Sequence, residues 1–93
     1  MEDKNFKWAT CIQFLKNHVE IHNTVSSKNA LEWLFEKIAK YPNQPPSNIT
    51  PKKNGILIEF KKENYCCELL FENDSSVKRT DFFKNKVIEV CWV

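Results

Sequence analysis

The stretch from Gly55 to Phe71, GILIEFKKENYCCELLF, constrains this chain more than any other, because it reads as two strands joined by a tight polar turn. Side chains alternate across a strand, so setting Phe60 opposite Tyr65 brings Ile58 opposite Cys67 and Ile56 opposite Leu69. These residues then share one apolar face, and that face must be covered. The other face carries Leu57, Glu59, Cys66, Glu68 and Leu70, a mixed surface that tolerates water, as an antiparallel sheet covered on one side usually shows.

The cover comes from the N-terminal half. Trp8, Cys11, Ile12, Leu15 and Val19 recur at spacings of three and four, which predicts a helix over about 4–20 with one buried stripe; Phe6 and Phe14 lie off it. A second helix is expected over about 28–41, capped by Ser26 or Ser27, with Ala30, Leu31, Leu34, Phe35 and Ile38 on its apolar face. Trp33 falls between its two faces. Pro42, Pro45 and Pro46 stop this helix and hold the chain extended as it crosses to the sheet. Pro51 to Gly55 reads as a turn in which Gly55, the only glycine, supplies any positive φ required.

Strands are expected over about 56–60, 65–71, 77–82 and 87–93. For the third, a loop of odd length turns Val77 and Arg79 inward and one of even length turns Lys78, Thr80 and Phe82 inward; the bulk of Phe82 favours the second. In the fourth, Ile88, Val90 and Trp92 face in if Glu89 faces out. The prediction is one α+β domain over 1–93, with two N-terminal helices packed on one face of a four-stranded antiparallel meander.

Composition removes several function classes. The chain has 93 residues and a net charge of +2, so it is close to charge balance, unlike a dedicated nucleic-acid binder. Its longest apolar run, Val90 to Val93, is far short of a membrane span, and Met1 to Leu15 lacks the pattern of a signal peptide. A cytoplasmic location follows as an expectation, with Cys11, Cys66, Cys67 and Cys91 reduced. Adjacent Cys66 and Cys67 point to opposite faces of a strand. A single glycine cannot build a P-loop or a dinucleotide fingerprint, and no Gly-x-Ser-x-Gly elbow is present. His18 and His22 share a helix face, but no third ligand sits at a recognisable spacing, so neither a metal nor a cofactor is expected.

Ile49-Thr-Pro51 through Gly55-Ile-Leu-Ile-Glu-Phe60, followed by Glu68-Leu-Leu-Phe-Glu-Asn-Asp-Ser75, resembles a pattern in small uncharacterised bacterial proteins. In those a Thr-Pro or Pro-Thr turn leads into Gly-Ile-x-Leu-Glu-Trp and then a Glu-bearing strand with an Asp-Gly-Ser type turn. The likeness spans about residues 49–77; Phe60 stands where Trp is usual, and the second turn has no glycine. It implies a cytoplasmic α+β protein, sometimes encoded on mobile or defence-related DNA, and carries over no functional residues.

What remains is a non-enzymatic protein-binding module of the inhibitor, immunity or antitoxin type, bacterial or phage-encoded, acting on a larger protein partner. Its candidate contacts are Trp33 and Phe14 on the helices and Leu57, Glu59, Glu68 and Leu70 on the open sheet face, which together offer burial and charge. Glu59 and Glu68, read as diagonal neighbours, would keep that face wet. The alternative is a weak nucleic-acid binder or regulator using Lys52, Lys53, Lys61, Lys62, Lys78 and Arg79 as a basic rim. An apolar last strand at the sheet edge also allows pairing into a homodimer.

Overall fold

The structure, a computed structural model, describes residues 4–92, with side chains from Lys7 onward. Two helices, α1 (Lys4–His22) and α2 (Val25–Lys40), precede five strands: β1 (Asn48–Lys52), β2 (Gly55–Lys62), β3 (Tyr65–Glu72), β4 (Val77–Phe83) and β5 (Lys86–Trp92). The strands form one antiparallel sheet in the order β1-β2-β3-β4-β5. The α+β class and the meander stand as expected, but the sheet has five strands, not four. The additional strand is β1, which the proline and polar residues of NITPK conceal. It lies at the edge, where Pro51 is tolerated because a proline cannot donate into a ladder on both sides.

α2 lies directly on β2 and β3, and α1 packs beside α2. Trp8 and Leu15 from α1, Ala30 and Leu34 from α2, and Ile56, Ile58, Leu69 and Phe71 from the sheet close a single core. Burying a side chain of this size contributes about 1.5–3 kcal/mol, so these residues supply most of the drive to fold. Trp8 also donates its indole N–H to the Pro42 carbonyl at 2.8 Å, which fastens the first helix to the end of the second. Phe35, expected on the apolar face of α2, is instead exposed, with the Lys16 ammonium 5.8 Å from its ring centroid.

The cap of α2 is Thr24, not Ser26 or Ser27, and the helix therefore begins at Val25, before the expected start. Thr24 has extended backbone angles, and its hydroxyl accepts from the Ser27 amide at 3.2 Å. Asn23, at φ 50°, ends α1 in the left-handed region and returns its amide to the Val19 carbonyl at 2.8 Å. The two buried serines brace this junction: Ser26 donates to Asn73 Oδ1 at 2.6 Å, tying α2 to the turn after β3.

The central hairpin keeps its predicted faces but shifts its pairing by two residues. Ile56 lies opposite Phe71, Ile58 opposite Leu69 and Phe60 opposite Cys67, around the two-residue turn Glu63-Asn64. A shift of two preserves the alternation, so the same side chains still point toward the helices. Gly55 does not have a positive φ; its value is steric, since a Cβ there would overlap the Phe71 carbonyl oxygen. The left-handed positions fall on Glu63, Ser75, Lys84 and Asn85 instead, and the last two form the tight turn between β4 and β5.

Both remaining strand orientations differ from the favoured expectation. Val77 pairs with Phe71 and Arg79 with Leu69, so Val77, Arg79 and Asp81 face the helix side while Lys78, Thr80 and Phe82 face away. In β5 the register shifts between Asp81 and Phe82, leaving Ile88 as the extra residue of a bulge. Beyond it Val90 pairs with Thr80 and Trp92 with Lys78, both on the open face, whereas Glu89 pairs with Asp81 on the helix side. Val87, Ile88, Val90 and Trp92 all remain exposed.

Candidate functional site

The open face of the sheet is organised in rows. Thr50, Leu57, Leu70, Lys78 and Trp92 follow one another across all five strands, and Asn48, Glu59, Glu68, Thr80 and Val90 form the next row. The strands thus bring Leu57, Glu59, Glu68 and Leu70 together at the centre of this face. Val90 and Trp92, expected inside, carry both rows to the sheet edge, Trp92 ending the row of Leu57 and Leu70 and Val90 the row of the two glutamates. The Lys78 ammonium lies 5.8 Å from the centroid of the Trp92 ring, placing a cation over the exposed aromatic.

Glu59 and Glu68 lie directly opposite each other, not diagonally. Like charges in this position disfavour the pairing, so compensation is expected nearby. Lys61 provides part of it, with Nζ 3.5 Å from Glu59 Oε2. The Cys66 sulfur and one oxygen from each of Glu59 and Glu68 all lie within 4.8 Å of one another, a donor set that a divalent cation could span. Burial, followed by the charges of Glu68 and Glu59, raises the Cys66 pKa, so cation binding there would require expelling a firmly held thiol proton.

The two helix residues of the predicted site lie elsewhere. Trp33 is half-buried on the helix side, edge-on to both Phe60 and Phe71 with ring centroids 5.8 Å away in each case. Phe14 packs against the core with its ring 6.1 Å from that of His18. Neither shares a surface with Glu59 and Glu68.

The basic residues divide between surfaces. Lys61 and Lys78 belong to the open face, Lys52 ends β1, Lys53 sits in the turn that follows, and Lys62 ends β2 beside that hairpin's turn. Arg79 faces the helix side, where its Nε donates to Asp81 Oδ1 at 3.1 Å. Asp81 is 6% exposed. Burial pushes its pKa up, but hydrogen bonds from Cys67 and Arg79 and the guanidinium charge outweigh this and hold it below the usual carboxylate range. Cys67 is pushed up to about 11 by burial and by its bond to Asp81, which makes it an inert thiol. The sequence signal for this cluster was the spacing Arg79-x-Asp81, which in a strand puts both groups on one face.

His18 and His22 pack with their rings tilted and centroids 4.5 Å apart. Burial, and secondarily the charge of His22, lowers the His18 pKa. His18 Nδ1 lies 2.6 Å from Ser27 Oγ, which is also 2.5 Å from Thr24 Oγ1. Ser27 is fully buried within the first turn of α2, so this pair braces a helix start; it does not present a nucleophile to a substrate.

No protein-family model, curated protein or solved structure matches the chain. Among the described residues no helix is long and apolar enough to cross a membrane.

Proposed function

We propose that this chain is a non-enzymatic binding module that blocks or regulates a larger protein, in the manner of an inhibitor, immunity protein or antitoxin. The observation that supports this reading most is the open sheet face, where an apolar row ending in the exposed Trp92 runs beside the paired carboxylates Glu59 and Glu68. Buried aromatic anchors surrounded by charge are what protein interfaces use for affinity and orientation. The partner it fits is a protein surface with an apolar pocket for Trp92 and Leu70 and basic side chains for the two glutamates. We place this activity in the cytoplasm, where the four free cysteines stay reduced. The resemblance to small bacterial proteins from mobile or defence-related DNA agrees with such a role.

A second reading draws on β5. Its four exposed apolar residues lie on an unpaired edge, a geometry that favours strand pairing with a second copy of this chain.

Both readings can be tested with the tagged chain and its Leu70→Lys variant, incubated in parallel with host lysate and washed at low and then high salt. The expected result is one protein retained near stoichiometry through high salt by the parent chain and lost by the variant. Nucleic acid recovered at low salt and released at high salt would replace this proposal with the basic-rim alternative. Light scattering of the purified chain reports a homodimer directly.

A further inference from the structure

A cleft of about 390 Å³ opens on the helix side of the sheet, beside the outer flank of α2. Phe60, Leu69 and Val77 line it from the strands, and Trp33 from α2. Two cations also line it, Lys37 and Arg79, together with Tyr65. This size lies within the range of roughly 300–1,000 Å³ that small-ligand sites occupy, and an apolar lining with a few convergent polar groups is their usual composition.

The charges at this cleft are unequal. Arg79 shares its charge with Asp81, which takes the Nε edge of the guanidinium, and also hydrogen-bonds the Tyr65 side chain, which leaves the remaining donors of a five-donor group to satisfy. Lys37 makes aromatic contacts, 5.4 Å from the Trp33 centroid and 4.3 Å from that of Tyr41, and no acid lies within ion-pair distance of it among the described residues. On β5, Lys86 and Glu89 face the same side and offset each other. Lys62, the register partner of Tyr65, also faces this side, so the balance near the cleft is positive over an apolar floor.

We propose that this cleft binds a carboxylate carried on an apolar body, with Arg79 and Lys37 holding the anion and Trp33, Phe60 and Leu69 holding the body. The planar fork of arginine suits a carboxylate better than a spherical ion. The carboxylate is that of a small organic acid or the C-terminus of a polypeptide, two sources with the same chemistry. The site lies on the other side of the sheet from the proposed protein-binding face and does not depend on it.

Titration of isotope-labelled protein, followed by nuclear magnetic resonance, tests this with 4-phenylbutyrate and its neutral amide as probes. Saturable shifts are expected at the Trp33 indole N–H and the Arg79 Nε–H, with the acid bound at least about tenfold more tightly than the amide. Lys37→Gln should weaken binding of the acid about tenfold without altering the fold, since Lys37 holds no ion pair among the described residues. Arg79→Lys keeps the charge and loses the fork, and should weaken the acid while leaving the amide unchanged. An N-acetyl dipeptide ending in Phe, compared with its C-terminal amide, separates the sources. Preference for the free-acid peptide over phenylbutyrate indicates a polypeptide terminus, and the reverse indicates a small acid. Equal binding of acid and amide, shifts confined to the open sheet face, or no saturable shift with any probe would overturn the proposal.

Discussion

β2 and β5 belong to the same sheet and are both rich in branched and aromatic residues, yet Ile56 and Ile58 are 0% exposed while Val87, Ile88, Val90 and Trp92 are each at least 50% exposed. The difference lies in what crosses each strand. α2 and α1 close over β2 and β3, whereas β5 turns Val90 and Trp92 to the open face, which no described element covers. Alternation therefore specifies a strand without specifying burial. The apolar residues of β2 hold the fold together, and those of β5 remain exposed.

The largest test of that contrast is Ile58→Ala set against Val90→Thr. The first should cost about 3 kcal/mol in urea unfolding, from lost transfer energy and the cavity left behind. The second should stay within about 0.5 kcal/mol, as exposed substitutions usually do. Equal losses would place β5 in the core and end the comparison.

Arg79→Leu sharpens the contrast within the intermediate strand β4. It leaves the buried Asp81 carboxylate without its cation, and a cost of about 2 kcal/mol is expected at neutral pH, reduced from that of a fully buried pair because Arg79 is half-exposed. The pH dependence gives the sign. In the parent chain the depressed Asp81 pKa contributes stability that is present above the ordinary carboxylate value near 4 and is lost as pH falls through the folded value. Without Arg79 the buried carboxylate favours its proton, so the deficit of the variant should shrink on acidification. A deficit independent of pH would mean that Arg79 acts through packing alone.

Thr24→Ala addresses the cover itself. Loss of this cap should cost about 1 kcal/mol and appear first as faster amide exchange at the start of α2, at Ser27 and Lys28. If exchange instead rises equally in β2 and β5, the helix does not protect the two strands differently.

Much of the fold was legible because parity is robust. Ile56, Ile58 and Phe60 could face only one way relative to Leu57 and Glu59, and a pairing error of two residues left that intact. The same parity gathered Leu57, Glu59, Glu68 and Leu70 on one face. The rest depended on features without a periodic signature. β1 was hidden by Pro51 and by its polar neighbours, and the bulge at Ile88 breaks the alternation on which any reading of β5 rests. The Arg79–Asp81 pair was missed because a charged residue is expected to face water, and here hydrogen bonds from Cys67 and Arg79 compensate its burial. Trp33 was legible as a boundary residue but not as a wall of a cleft, since that requires knowing where α2 ends over the sheet.

The two edges of the sheet are unequal. β1 is short, carries Pro51 and ends in Lys52, while β5 offers a longer apolar rim. A ribbon with one blocked border can grow only once. Union of two such rims consumes both, and the product has only its blocked borders facing outward. Self-association through the β5 edges alone therefore joins two chains and turns their short, proline-bearing β1 edges outward.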